Sequence, residues 1–238
     1  MIRLLPLLAL LAQPLAAQTI VDARYSDPTE RYPHAVLGDR IEYGALVVTL
    51  SDGSERVHTL PQRRVFEDLA PRLADLDGDG AAEVIVVESD AQLGAQLALY
   101  GPDGKRAGTP FIGTRFRWLS PIGIADFDAD GSLDVAYIET PHLGKTLRVW
   151  TLEDGALLEI ARTGGLTNHR IGEDFITSTV RDCGGLPQII TVDARWSRII
   201  STRLGPEGPV QTDLGPFEGY ASVLGWGLCD AAKTPSDN

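Results

Sequence analysis

Two stretches of the chain carry carboxylates at a spacing suited to holding a metal ion. Residues 75–84 read Asp-Leu-Asp-Gly-Asp-Gly-Ala-Ala-Glu-Val, and residues 126–135 read Asp-Phe-Asp-Ala-Asp-Gly-Ser-Leu-Asp-Val, 51 positions further on. Three aspartates at alternate positions, a glycine at the sixth and a carboxylate at the ninth describe an oxygen cage closed by one tight loop. Calcium is the natural guest: it takes six to eight oxygens at ~2.3–2.6 Å in irregular geometry, whereas magnesium demands an octahedron and zinc prefers nitrogen or sulfur. The expected ligands are Asp75, Asp77, Asp79 and Glu83 in the first loop, and Asp126, Asp128, Asp130 and Asp134 in the second. The carbonyls of Ala81 and Ser132 complete the two cages, and Gly80 and Gly131 allow the sharp turn. Four carboxylates in nine residues repel one another unless a cation neutralises them, so two calcium ions are expected. A third copy, Val180-Arg-Asp182-Cys-Gly184-Gly185-Leu-Pro-Gln188, keeps one aspartate and the glycine and should stay metal-free.

Other chemistry finds less support. An EF-hand would need a helix over Phe66–Leu76, which Pro71 interrupts, and a glutamate at loop position twelve, where Val86 and Tyr137 stand. There is no Gly-x-Ser-x-Gly elbow, and neither cysteine lies in a recognisable Cys–His arrangement. The four histidines, His34, His58, His142 and His169, are scattered at loop or strand edges, with His142 and His169 placed to meet near a central axis. Trp118, Trp150, Trp196 and Trp226 read as packing residues, Trp118 and Trp226 in first strands. No catalytic residue is assigned.

The elements that must position the loops also repeat. Turn signals stand at Asp52-Gly53, Asp103-Gly104, Asp154-Gly155 and Glu207-Gly208, each between apolar runs, which is a hairpin signature. The loops are followed by Val84-Ile-Val-Val87, Val135-Ala-Tyr-Ile138 and Ile189-Ile-Thr-Val192, continuous β-branched runs that suit strands buried on both faces. A unit of about fifty residues made of strand, loop, strand and hairpin fits one four-stranded blade. The expected fold is all-β, a small β-propeller of about four blades within residues 18–230. The blades fall near 62–112, 113–165 and 166–215, and the first joins 34–61 to a C-terminal strand over 217–230. Residues 231–238 form a polar tail.

These loops and their following strands resemble FG-GAP/VCBS repeats, the calcium-loop blades of integrin α-chain propellers, over most of the chain. The resemblance implies a β-propeller, calcium held beside the first strands of a blade, and an adhesive or ligand-binding role.

Composition bounds the partners. Lys plus Arg number 21 against 33 Asp plus Glu, a net charge of −12, which disfavours nucleic acid and anionic membranes. Residues 1–17 read as a cleavable signal peptide: Arg3 is followed by an apolar stretch from Leu4 to Leu15, too short to span a membrane, and by the small pair Ala16-Ala17. Gln18 rather than cysteine follows, so no lipid anchor is indicated. The expectation is a periplasmic or secreted monomer without a transmembrane anchor, binding a protein or glycan; the alternative is a propeller enzyme, a glycan-active hydrolase or lyase with an axial active site. Cys183 and Cys229 stand at nearly equivalent points of what read as neighbouring blades, and export supplies the oxidant for a disulfide between them.

Overall fold

The computed structural model describes residues 18–229. The expected signal peptide and the tail at 231–238 lie outside the described residues. The described residues are all-β apart from one short helix and form three antiparallel sheets, none of them closed on itself.

The first sheet contains β1 (Ile20–Thr29), β2 (Glu42–Leu50), β3 (Glu55–Thr59), β4 (Arg64–Phe66), β5 (Arg72–Ala74), β6 (Glu83–Asp90), β7 (Gly94–Gly101) and β8 (Gly104–Gly108). Its path runs β1-β2-β4-β6-β7-β8, with β3 beside β2 and β5 beside β6. The second is a four-stranded meander of β9 (Leu119–Ala125), β10 (Asp134–Glu139), β11 (Thr146–Glu153) and β12 (Ala156–Gly164). The third comprises β13 (Leu166–Thr167), β14 (Thr179–Arg181), β15 (Gln188–Asp193), β16 (Arg198–Gly205) and β17 (Gly208–Pro216), followed by α1 (Tyr220–Leu224).

All four turn signals are hairpins, β2–β3, β7–β8, β11–β12 and β16–β17. The glycines at 53, 104, 155 and 208 all have positive φ, which is why glycine stands there. The three β-branched runs lie in β6, β10 and β15, and every residue of β6 and β7 is buried. Burial on both faces requires cover on both sides. Val84 and Val86 meet Leu46, Val48 and Phe66 on one side, while Ile85 and Val87 meet Trp118, Val135 and Tyr137 on the other. Ala136 and Ile138 of β10 then pack with Ile189 of β15. The helix expected in an EF-hand over Phe66–Leu76 does not form; β4 and β5 occupy those ends.

One expectation is corrected. The C-terminal segment is not a strand closing the first blade. After β17, Gly219 takes φ +105° and Tyr220–Leu224 winds into α1, whose fully buried Val223 covers Ile190, Val192 and Ile199 of the third sheet. Ala-Ser-Val-Leu suits a strand or a helical turn equally, and the uncovered apolar face of β15–β16 selects the helix. Trp226 follows α1 and packs on the same cluster rather than lying in a first strand. The N-terminal strands are completed by β1, paired along the whole of β2, and are joined to the next unit by β4, which bonds β2 at Tyr43–Phe66 and β6 over Arg64–Asp90, Val65–Ser89 and Phe66–Glu88.

Cys183 and Cys229 are disulfide-bonded, with α-carbons 5.5 Å apart. The bond ties the β14–β15 loop to the segment behind α1 rather than joining two first strands. Arg181 reinforces the same junction by donating to the carbonyl of Trp226 at 3.2 Å. Replacing both cysteines by serine should lower stability by roughly 4 kcal/mol on the chain-entropy account of a 46-residue separation, measured by urea unfolding of the oxidised protein and the variant.

Candidate metal centre

The two acidic loops lie at the entries to β6 and β10 and share one internal bonding pattern. In the first, the Asp79 amide donates to Asp75 Oδ1 (3.1 Å) and Asp77 Oδ1 (3.3 Å), the Gly80 amide to Asp75 Oδ2 (2.9 Å), and the Ala81 amide to Asp79 Oδ1 (2.8 Å). In the second, the Asp130 amide donates to Asp126 Oδ1 (3.1 Å) and Asp128 Oδ1 (3.2 Å), the Gly131 amide to Asp126 Oδ2 (3.0 Å), and the Ser132 amide to Asp130 Oδ1 (2.7 Å). These bonds wrap the backbone around the carboxylates. Each loop brings one oxygen from each of its three aspartates within 4.8 Å of the others: Asp75, Asp77 and Asp79 in one, Asp126, Asp128 and Asp130 in the other.

The ninth-position carboxylates stand apart from these trios. Glu83 and Asp134 begin β6 and β10, are buried, and each accept one amide from the loop, Leu76 to Glu83 Oε2 at 2.9 Å and Phe127 to Asp134 Oδ2 at 3.0 Å. Their second oxygens differ. Glu83 Oε1 is paired with Arg106, whereas Asp134 Oδ1 is buried without a hydrogen-bond partner. Burial and the nearby Asp128 and Asp130 push the Asp134 carboxyl up to about 6, although the Phe127 amide and the Thr151 hydroxyl pull it down. Glu83 is raised in the same direction, chiefly by burial, with Asp77 adding to it and Arg106 opposing. An all-oxygen donor set with a buried carboxylate oxygen that lacks a hydrogen bond, beside three clustered carboxylates of which one is half-buried and two are exposed, suits a hard divalent cation.

Residues 75–137 match the family model of an FG-GAP-like repeat. No curated protein matches the chain. The matched span begins at the first acidic loop, directly after β5, and takes in β6 to β9, the second acidic loop and the first residues of β10.

The third loop lacks this arrangement. Asp182 Oδ1 accepts only a long bond from the Gly184 amide at 3.4 Å, and Gln188, at the position of Glu83 and Asp134, accepts from the Ser201 hydroxyl at 2.7 Å. A groove of about 430 Å³ separates it from the second FG-GAP-like loop, lined by Asp126, Ala129, Leu133, Asp182, Gly185 and Leu186 among others.

Sequence reasoning missed a second cluster built around Trp118, beyond the pairing of two histidines. His142 Nε2 lies 3.0 Å from His169 Nδ1, and Trp118 stacks on the His142 ring. Trp118 Nε1 donates to the carbonyl of Glu67, whose buried carboxylate holds His34 Nδ1 at 2.6 Å and the Ser89 hydroxyl. Glu67 lies in a loop between β4 and β5, and no short-range motif links it to His34 or Ser89. A cleft of about 270 Å³ beside the pair is lined by His142, Lys145, His169, Arg170, Ile171 and Trp196, among others.

Two predictions follow from this geometry. Ala129 sits at φ +63°, where the first loop has Gly78 at φ +70°. A Cβ in that conformation costs roughly 1–2 kcal/mol, more than the entropy an added glycine costs, so Ala129→Gly should raise the melting temperature by a few degrees. For His142, burial, then His169, His34 and Lys145, push the imidazole down to about 4. The unfolded chain takes up its proton near pH 6.5 and the folded one near 4, so this contribution is fully present above pH 6.5 and is lost as pH falls to about 4. The full shift corresponds to about 3 kcal/mol, and solvent screening of the part-exposed ring brings the contribution below that. Urea unfolding at stepped pH should show a flatter acid limb for His142→Gln by up to that amount.

Proposed function

We propose that this chain is an exported calcium-binding module of β-propeller-like architecture, with one calcium ion at each FG-GAP-like loop. The observation that carries the reading is the repetition, bond for bond, of the same amide-to-carboxylate wrapping in both loops, together with the buried and unpartnered Asp134 Oδ1. Asp75, Asp77, Asp79 and Glu83 would hold one ion with the Ala81 carbonyl. Asp126, Asp128, Asp130 and Asp134 would hold the other with the Ser132 carbonyl. Bound calcium there neutralises the carboxylates and fixes the chain where it enters a central strand, so its role is to stiffen the sheets rather than to react.

Propeller-like architecture is supported by the face-to-face order of successive sheets and by the 51-residue repeat. The disulfide fits an oxidising compartment, periplasmic or extracellular. No helix among the described residues is long and apolar enough to cross a membrane. A scaffold or ligand-binding role, with a protein or glycan partner, accords with this design. An axial enzyme is the second reading, favoured by the paired His142 and His169 beside a cleft. That cleft's lining carries no carboxylate, whereas glycoside hydrolysis ordinarily needs two.

Calorimetric titration should find two calcium ions per chain with dissociation constants of about 10⁻⁴–10⁻³ M, and a chelator should lower the melting temperature. Asp77→Ala combined with Asp128→Ala should abolish binding. A stoichiometry of zero in the unaltered protein overturns the assignment.

A further inference from the structure

The two loops share their backbone pattern but not their electrostatics, and the difference lies in one residue on a neighbouring strand. Arg106 of β8 reaches back across the sheet, placing Nη2 2.8 Å from Asp77 Oδ2 and Nη1 against Glu83 Oε1. It therefore bridges two of the four carboxylates of the first loop. Its path is open because Gly101 has no side chain: a Cβ there would lie 2.9 Å from Arg106 Cδ.

The strand registers identify the corresponding place in the second sheet. Arg106 is the extra residue of a bulge, since Leu99 pairs with Ala107 and Tyr100 with Lys105. In the second sheet Val149 pairs with Ala161 and Trp150 with Glu159, so the extra residue is Ile160. Thr151, directly after Trp150 as Gly101 is directly after Tyr100, fills the place of Gly101 and lies beside Asp134. With a hydrocarbon side chain replacing the guanidinium, Asp134 has the neutral Thr151 beside it but no cation, and its Oδ1 is left without a hydrogen bond.

We infer that Arg106 is a built-in counter-cation for the first loop, making it the weaker divalent-ion site and leaving the second loop as the principal one. The inference rests on the calcium reading above. Arg106 leaves the first loop one negative charge poorer toward an incoming ion, and fewer net ligand charges mean lower calcium affinity. A unit positive charge about 6 Å from a divalent ion lowers affinity roughly tenfold even at the dielectric constant of water. The first loop also has to release two charge-assisted hydrogen bonds, or keep them while holding the ion with oxygens already shared.

Calcium titration of single-loop proteins tests this. Asp128→Asn leaves only the first loop competent, and Asp77→Asn only the second. The first-loop protein should bind calcium roughly tenfold more weakly than the second-loop protein. Adding Arg106→Gln should remove most of that gap in the former and leave the latter unchanged, while Arg106→Lys should keep it. The reciprocal protein, Thr151→Gly with Ile160→Arg in the Asp77→Asn background, should bind more weakly than its parent, which provides a test if Arg106→Gln unfolds. Equal affinities for the two loops, or a first loop that Arg106→Gln leaves unchanged or weakens, overturn the inference while the calcium reading stands. Absence of calcium binding in the unaltered protein overturns both.

Discussion

Strands β6 and β7 bury every residue, and the rest of the molecule is arranged around that constraint. A sheet whose two faces are both apolar cannot end at water on either side, so the N-terminal strands must cover one face and the second sheet the other. The second sheet passes the same demand to the third through Ala136 and Ile138. The cover on the third sheet is α1, which lays Val223 over Ile190 and Val192, with Trp226 of the following segment packed on the same cluster. A one-turn helix suffices there because the face left over is small.

Burial on both faces also explains the polar network inside the first sheet. Glu88 directly follows the apolar run of β6 and is fully buried, and leaving its charge unpaired would cost several kcal/mol. Gln96, Tyr100 and Lys105 all donate to it, from the two strands that follow, at 2.8, 2.6 and 3.0 Å. Asp90 at the strand end takes Arg63 and Arg64, and Glu67 takes His34 and Ser89. These carboxylates lie along the seam where β4 joins β2 to β6. That seam is therefore held by specific donors as well as by apolar contact, which fixes one register between the two units.

The acidic loops, the β-branched runs and the four hairpins were legible in the sequence because each is encoded within ten residues. A carboxylate ladder, a run such as Val84-Ile-Val-Val87 or an Asp-Gly turn carries its own local signal. What escaped was decided at longer range. β1 reads as Asp, Arg, Ser and Pro between isolated apolar residues; it is a strand because β2 offers it a full edge, and its alternation is broken by a register shift at Ile20/Asp22. α1 took its form from the face it covers. Cys183 and Cys229 are bonded as expected, but the bond ties the β14–β15 loop to the segment behind α1, a contact that exists only because that segment winds into a helix. Arg106 was invisible as part of the site because it lies 23 residues beyond Glu83 and reaches it only through a bulge and a missing side chain at Gly101.

Seen along the chain, three loops at equivalent places meet one mechanical need by different means. Each enters a central strand through a tight glycine turn, and each must be held closed against the backbone's tendency to open there. In the first loop, Arg106 ties Asp77 to Glu83, a cation the protein supplies itself. In the second, the neutral Thr151 rather than a cation stands beside Asp134, and the proposed calcium ion is the remaining candidate for the charge that four clustered carboxylates require. In the third, the carboxylates are gone, Gln188 turns to Ser201, and Cys183 ties the loop covalently to the segment behind α1. A guanidinium is always present, a calcium ion only when its concentration allows, and a disulfide only where the compartment oxidises thiols. On the calcium reading the ionic environment then acts most strongly on the middle sheet, more weakly on the first sheet, whose loop already holds Arg106, and least on the third, whose loop is tied by the disulfide.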